Sequence, residues 1–126
     1  MAILGIDYGL KHCGLAFSTG QLAEPLATVN TDKIMSVLLL VIPKQHIDTI
    51  IIGMPSGEII NKIKELSDQI RPLFVGKIYF VDETLSSHLA VKSLLHTTVS
   101  RRRKLEHAAA AAIILQSWLD SNVSNV

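Results

Sequence analysis

The sequence lacks the residues and segments that several protein classes require. It has a single cysteine, Cys13, so it cannot form an internal disulfide or a zinc site built from several cysteines. We expect Cys13 to be a small buried apolar residue. No uninterrupted apolar run approaches the roughly 20 residues that span a bilayer, and Asp7 interrupts the apolar amino terminus, which is unlike a secretory signal. Walker A, G-x-G-x-x-G and G-x-S-x-G motifs are absent. We therefore expect a soluble cytoplasmic protein without a membrane partner.

The charge is nearly balanced, with 12 Lys and Arg, 11 Asp and Glu, and a formal net charge of +1. Such a balance gives no whole-chain indication of a nucleic-acid partner. Hydrophobic residues make up 48% of the chain and charged residues 18%, a composition that excludes intrinsic disorder. A chain of 126 residues is long enough for one domain with a sizeable core. We assign this domain to residues 1–120 and a polar tail to residues 121–126.

Short apolar segments and stretches of helical spacing alternate along the chain. The predicted strands are residues 2–6, 14–18, 26–29, 48–53 and 78–81. The predicted helices are residues 33–44, 58–73, 86–95 and 106–120. The first three strands follow one another directly, which predicts an antiparallel meander, and the last two are apolar on both faces, as buried parallel strands are. The order predicts an α/β fold with a mixed five-stranded sheet and helices on both faces.

Acidic residues follow two of these strands. Asp7 ends the first strand, and Asp82 and Glu83 end the fifth. The first, fourth and fifth strands are expected to end near one another, at the edge where open α/β sheets bind ligands. Carboxylates that converge there repel each other unless a proton or a metal ion joins them, and paired divalent ions can cleave phosphodiesters. Two plainer interpretations stay open: Asp7 caps its own turn, and the other two acids are solvated at a helix amino terminus.

The last predicted helix offers further candidates. Glu106 and His107 would lie in its first turn, and the alanine run at 108–112 would let the helix approach the sheet closely. Either side chain could then serve as a metal ligand or an acid–base group, or simply lie on the surface. The four consecutive cations at residues 101–104 come directly before this helix. They could neutralise phosphates or form a solvated loop.

Short motifs spread along the chain match those of one known family. GIDYG at residues 5–9, followed by Lys11 and Gly14, resembles the amino-terminal motif of the YqgF (RuvX) family, which comprises Holliday junction resolvase-like proteins and pre-16S rRNA nucleases with an RNase H-like fold. Further matches follow in order: EPL at 24–26, IIIGMP at 50–55, VDETLSS at 81–87 and AAIILQSWL at 111–119. The resemblance spans nearly the whole chain and implies that the mixed sheet is of the RNase H-like type.

The resemblance implies a nuclease that hydrolyses phosphodiester bonds in structured nucleic acid, either at the 5′ end of precursor 16S rRNA or in branched DNA of the Holliday-junction type. It implies that Asp7 and Glu83, together with Asp82, are active-site acids that bind Mg²⁺ or Mn²⁺. His107 stands where the family has a third acid, so His107 or the neighbouring Glu106 is the predicted third metal ligand. The residues expected to contact nucleic acid are Gly9, Lys11, Ser86, Arg101, Arg102, Arg103 and Lys104.

Three functions remain open on the sequence. The first is the metal-dependent nuclease, acting as a monomer or as a homodimer, since paired cuts at a junction need a symmetric dimer. The second is a catalytically weak or inactive RNase H-like module that binds nucleic acid or a protein; its support is His107, and Thr84 where the family has an arginine. The third is an ATP-binding domain of the actin and sugar-kinase type, whose first phosphate loop also reads Asp-x-Gly. That type clamps its nucleotide between two domains, which a single domain cannot do.

Overall fold

The computed structural model describes residues 2–54, 59–82 and 99–123 of the chain. Its strands are β1 (Ala2–Tyr8), β2 (His12–Ser18), β3 (Glu24–Asn30), β4 (Ile47–Met54) and β5 (Lys77–Asp82). Its α-helices are α1 (Ile34–Lys44), α2 (Ile59–Ile70) and α3 (Val99–Val123), and short 3₁₀ helices lie at Thr31–Lys33 and Arg71–Leu73. All five predicted strands are present, each two or three residues longer than its apolar pattern. The prediction that the last strand is buried on both faces is wrong: Tyr79 and Phe80 are 38% and 41% exposed, because β5 is an edge strand with a neighbour on one side only.

The strands form one mixed sheet in the order β3-β2-β1-β4-β5. β1 pairs antiparallel with β2, and β2 pairs antiparallel with β3, which confirms the predicted meander. β4 lies parallel to β1, and β5 lies parallel to β4. The carboxyl ends of β1, β4 and β5 consequently meet at one edge of the sheet, as the order of elements predicted.

The core is divided between the two faces of the sheet. Ile50 and Ile52 of β4 pack in the layer that contains α1 and α2, whereas Ile51 packs in the layer that contains α3. Successive side chains of a strand point to opposite faces, so a run of three isoleucines is fully buried only where helices cover both sides. All three are inaccessible to solvent. The prediction of helices on both faces is therefore confirmed.

Helix α3 approaches the sheet closely because small residues line the contact. A Cβ atom at Gly5 would lie 2.9 Å from the Cβ atom of Leu115, and one at Gly14 would overlap the carbonyl oxygen of His107. On the helix side, Ala111 is fully buried. The expectation that the alanine run permits a close approach is borne out by these contacts.

The same helix makes contacts near both lateral ends of the sheet, at the β2–β3 loop and at β5. The Gln116 side chain donates a hydrogen bond from Nε2 to the carbonyl oxygen of Gln21 and accepts one at Oε1 from the backbone N–H of Ala23, at 3.0 and 2.9 Å. At the other side, the rings of Trp118 and Tyr79 of β5 lie 5.5 Å apart between centroids. The position of α3 is thus determined from the β2–β3 loop across to the β5 edge.

The amino-terminal end of α3 differs from the prediction. The helix begins at Val99, not at Glu106, and it ends at Val123. Residues 101–104 therefore lie inside the helix, because Arg and Lys are good helix formers and extend a helix without an apolar stripe. Glu106 and His107 consequently lie in the third turn, not in the first. The helix predicted at residues 86–95 lies outside the described residues. Within the described ranges, no helix is both long and apolar enough to cross a membrane.

Candidate active site

Asp7 lies at the carboxyl end of β1, beneath α3. Ile6 of β1 pairs with Ile52 of β4, and Ile52 pairs with Phe80 of β5. Asp7 is the residue directly after Ile6, so it lies just past this row of paired residues, toward the carboxyl ends of the strands. It also pairs with Gly14 of β2, over which α3 passes. The Asp7 side chain is 14% exposed. The carboxylate is thus partly buried at the sheet edge where the sequence placed a ligand site.

His107 brings a second candidate side chain to this carboxylate. Its Nδ1 atom lies 3.9 Å from Oδ2 of Asp7, and its side chain is 37% exposed. The separation is too long for a hydrogen bond, but a protonated imidazole at this distance attracts the carboxylate. The structure therefore brings together two predicted site residues, one from the first strand and one from the last helix. They meet because glycine at position 14 lets the helix backbone rest on the sheet.

His12 is a third member of the group, and the sequence patterns did not point to it. Its ring is stacked on the ring of His107, with centroids 5.6 Å apart and planes inclined by 28°. A signal for it was present: His12 precedes Gly14 by two residues in β2, and residues two apart in a strand share a face. Its place in the sequence matches no metal-ligand spacing, because its neighbours come from distant parts of the chain.

The turn between β1 and β2 is held in place by Thr31. The hydroxyl of Thr31 donates a hydrogen bond to the carbonyl oxygen of Gly9 at 2.7 Å, and its backbone N–H donates one to the carbonyl oxygen of Lys11 at 2.9 Å. A Cβ atom at Gly9 would overlap the carbonyl oxygen of His12, so the turn itself requires glycine there. Lys11 is exposed, which leaves its ammonium accessible to an anionic ligand.

On the opposite face of the sheet, burial changes the titration of two side chains. Cys13 is fully buried, as expected, with its sulfur 3.4 Å from the hydroxyl of Thr31. Burial raises the pKa of the Cys13 thiol, an effect that the contacts with Thr31 and the Gly9 backbone partly offset and that the charge of Asp7 reinforces. Burial also raises the pKa of the Tyr8 hydroxyl, and Cys13 and Glu65 add to the shift. Both groups stay uncharged behind the site at neutral pH.

For the remaining predicted site residues, the structure describes the backbone alone or does not describe the residue. Asp82 ends β5 in register with Met54, at the edge where Asp7 lies. Glu106 and residues 101–104 belong to α3. The side chains of these residues, and Glu83 and Ser86 altogether, lie outside the described part of the structure, so their roles stay predictions.

The chemistry of the two described donors fits a divalent metal ion. Carboxylate oxygen and imidazole nitrogen both bind such ions at about 2.0–2.2 Å, so one ion could contact Asp7 Oδ2 and His107 Nδ1 across their 3.9 Å separation. Among the residues that the structure describes, no group of three His, Cys, Asp or Glu side chains could hold a metal ion. A metal ion bound by Asp7 and His107 would therefore also need solvent or further ligands.

Comparison with known proteins gives a match along nearly the whole chain. Residues 1–121 match the model of a family described as "RuvX: Holliday junction resolvase". A Clostridium perfringens protein named "Putative pre-16S rRNA nuclease" is 35% identical, with 95% of this chain and 97% of that protein covered. A Sulfurihydrogenibium protein of the same name is also 35% identical, with 94% of this chain and 89% of that protein covered.

Two solved structures have a similar fold. A fowlpox virus resolvase, solved with its substrate Holliday junction DNA, has a TM-score of 0.65 at 17% identity, covering 98% of this chain and 99% of the other. Thermus thermophilus RuvC with a Holliday junction substrate has a TM-score of 0.63 at 16% identity, covering 100% and 98%. At these identities the likeness concerns the fold, and it confirms the predicted RNase H-like class.

Proposed function

Because the chain belongs to the RuvX family of Holliday junction resolvases, we propose that it is a nuclease that uses Mg²⁺ or Mn²⁺ to hydrolyse phosphodiester bonds in structured nucleic acid. The observation that carries the proposal is the meeting of Asp7 and His107, 3.9 Å apart, at the carboxyl edge of the parallel strands. Open α/β sheets bind their ligands at this edge. The match to this family over residues 1–121 contradicts the third function considered above, an ATP-binding domain of the actin and sugar-kinase type.

The substrate we propose is the 5′ end of precursor 16S rRNA, in keeping with the name of the relatives that are 35% identical. Branched DNA is the second candidate, favoured by the family description and by the junction complexes of similar fold. Paired cuts in a junction would require a homodimer, whereas an RNA end can be cut by a monomer. We propose that the protein acts in the cytoplasm.

We propose that Asp7, Glu83 and His107 hold the metal, with Asp82 or Glu106 as the neighbouring acid. When bound, a divalent ion supplies an activated water and stabilises the leaving oxygen of the scissile bond. The carboxylate of Asp7 serves to fix the ion at a partly buried position, where electrostatic attraction is stronger than in bulk water. The imidazole of His107 reaches the same point from the helix side.

The nucleic acid would be held by groups around this point. We propose that the Gly9 turn admits a phosphate close to Asp7, that Lys11 and Ser86 contact the backbone, and that the basic residues of α3 neutralise further phosphates: Arg101, Arg102, Arg103 and Lys104. Lys11 is exposed on the turn that Thr31 holds. Such contacts supply affinity and register without reading sequence.

The experiment that tests the nuclease uses both substrates and two matched variants. Precursor 16S rRNA and a four-way DNA junction are incubated with wild type, Asp7→Asn and Asp68→Asn, each with Mg²⁺ or Mn²⁺. Asp68 is an exposed carboxylate on α2, so its variant controls for the loss of one charge. We expect cleavage by wild type and by Asp68→Asn, and a loss of at least about 100-fold for Asp7→Asn, as for an interaction that supports the reacting charge directly.

Equal trace cleavage by wild type and Asp7→Asn would overturn the nuclease. If both proteins still bound either substrate under those conditions, the inactive nucleic-acid-binding module would be the correct function. The residues that favour this second function are His107, which gives the site one negative charge fewer than a third acid would, and Thr84 in place of an arginine.

A further inference from the structure

We propose that His107 makes this site prefer first-row transition-metal cations, Mn²⁺ and above all Co²⁺, over Mg²⁺, and that the His12 ring positions the His107 imidazole. The inference deepens the proposed function and rests on it in one respect, that Asp7 binds a divalent ion. It concerns the identity of that ion and a residue that the sequence motifs do not include.

The first argument is the donor atom that the helix presents. The atom of His107 nearest Asp7 Oδ2 is Nδ1, at 3.9 Å. Imidazole nitrogen is a good ligand for the later first-row metals, whereas Mg²⁺ prefers oxygen throughout its shell. A site that offers an imidazole nitrogen beside a carboxylate oxygen therefore favours a metal that accepts both.

The second argument is charge. A neutral imidazole contributes no negative charge, so the described pair carries the single charge of Asp7. Mg²⁺ gives up its water reluctantly and is bound through carboxylates or phosphates, so removing a carboxylate weakens Mg²⁺ binding most. A transition metal regains part of that loss through its bond to nitrogen, and the affinity rises from Mn²⁺ to Co²⁺.

The third argument is how the imidazole is held. The His107 backbone rests on Gly14, and its ring lies against the ring of His12, which projects from the first residue of β2. The backbone contact with Gly14 and the ring contact with His12 together limit the orientations that the His107 ring can adopt. Hydrogen-bonded partners that orient a metal-binding histidine typically change metal affinity by about 10–100-fold. A stacked ring restricts the same rotation of the imidazole, so His12 acts as a positioning residue.

The test measures binding without nucleic acid. The full chain is titrated calorimetrically with Co²⁺, Mn²⁺ and Mg²⁺, and the visible absorption of bound Co²⁺ is recorded. The decisive quantity is the ratio of the Mg²⁺ to the Co²⁺ dissociation constant in wild type and in His107→Asp. We expect the ratio to fall by about tenfold or more in His107→Asp, with a change in the Co²⁺ spectrum as nitrogen is replaced by oxygen. An unchanged ratio or an unchanged spectrum overturns the proposal.

A histidine elsewhere controls for adventitious binding. His46 is exposed in the turn between α1 and β4 and has a φ of 54°, a conformation that asparagine tolerates. His46→Asn should bind Co²⁺ as wild type does; a spectrum that depended on His46 instead of His107 would place the ion in the wrong part of the molecule. Thermal unfolding of each variant identifies any loss of folding.

Two variants at position 12 test the role of the second ring. His12→Phe keeps an aromatic ring against His107 and removes the nitrogen atoms, whereas His12→Ala removes the ring. Positioning by stacking predicts that Co²⁺ affinity falls about tenfold in His12→Ala and is restored in His12→Phe. An equal loss in both variants would make His12 a ligand itself, and no loss in either would make it irrelevant; both outcomes overturn the positioning role.

Failure of this inference is distinguishable from failure of the proposed function. A chain that binds Co²⁺ through His107 and cleaves neither substrate keeps the inference and loses the nuclease. A chain that cleaves with Mg²⁺, and whose metal ratio does not respond to His107→Asp, keeps the nuclease and loses the inference.

Discussion

The carbonyl oxygen of His107 occupies the position that a side-chain methyl group at residue 14 would need, so Gly14 and His107 are in direct backbone contact. Gly14 is also the residue that pairs with Asp7 across β1 and β2. The 3.9 Å between Nδ1 of His107 and Oδ2 of Asp7 is therefore set by a residue that has no side chain. The catalytic candidates depend on a strand position that carries no functional group.

Replacing Gly14 with alanine should push α3 away from the sheet, because the overlapping atoms belong to the backbone and have no alternative rotamer. We expect the free energy of unfolding in urea to fall by about 1–3 kcal/mol, together with weaker binding of divalent metal ions. Gly20→Ala is the matched control, since no atom lies within 4 Å of a Cβ atom there. If the two variants were equally stable, the contact would not support α3.

Replacing Thr31 with valine should loosen the turn between β1 and β2. The change removes the hydrogen bond from the Thr31 hydroxyl to the carbonyl oxygen of Gly9, which costs about 1–2 kcal/mol of unfolding free energy. Amide hydrogen exchange at residues 9–12 should accelerate. Thr19→Val, at an exposed threonine of another loop, should leave that exchange unchanged, and similar exchange in both variants would contradict a structural role for Thr31.

The stability of the protein should fall as the pH rises above about 9. The pKa values of Cys13 and Tyr8 are raised from 9.0 and 10.0 in the folded state. The unfolded chain therefore loses these protons first, so stability that is fully present below pH 9 is lost as the pH rises toward the folded pKa values. Urea denaturation between pH 7 and 11 should show a shallower decline in Cys13→Ala and in Tyr8→Phe. Parallel declines in all three proteins would exclude these two groups as its cause.

The basic residues of α3 should contribute unequally to nucleic-acid binding. Consecutive residues in an α-helix lie about 100° apart around its axis, whereas a loop could turn all four toward one phosphate strand. Single replacements of Arg101, Arg102, Arg103 and Lys104 by alanine should thus give different losses of affinity. With a DNA junction as ligand, each replacement that weakens binding should reduce the slope of log K against log salt by about 0.9 for every phosphate that the wild-type side chain neutralises.

Arg71→Ala provides the control for this series. Arg71 is exposed in the 3₁₀ helix that precedes β5, at the amino-terminal ends of the parallel strands and therefore opposite to Asp7. It should change neither the affinity nor the salt slope. Four equal effects in the α3 series, or an effect of Arg71 as large as theirs, would show that long-range charge and not direct contact attracts the nucleic acid.

Most of the sheet could be predicted because its strands carry strong local signals. The run at residues 50–52 is β-branched and apolar on both faces, which only a doubly covered strand satisfies. The order of strands and helices then brought the ends of β1, β4 and β5 to one edge, and Asp7 was correctly expected there. These inferences needed only neighbouring residues and the rules of chain connection.

The start of α3 and the presence of His12 could not be predicted in the same way. The segment from Val99 to Lys104 has no apolar periodicity, so its charges indicated a loop, although their helix propensity is high. His12 meets His107 only because Gly14 admits the helix backbone at that point. Such a meeting depends on a contact between residues far apart in sequence, and a pattern along one segment does not reveal it.

The two glycines beneath α3 together determine the position of the helix along its axis and its rotation about that axis. Gly14 lies under His107, and Gly5 lies under Ala111 and Leu115 two turns later. A shift of the helix by one residue, which would replace His107 by Glu106 above Gly14, would rotate every side chain by about 100° and would break both contacts at once. The ligand that α3 presents above Gly14 can consequently change only by exchanging the side chain at position 107, because an insertion or deletion between the two contacts would break the packing of the helix on the sheet.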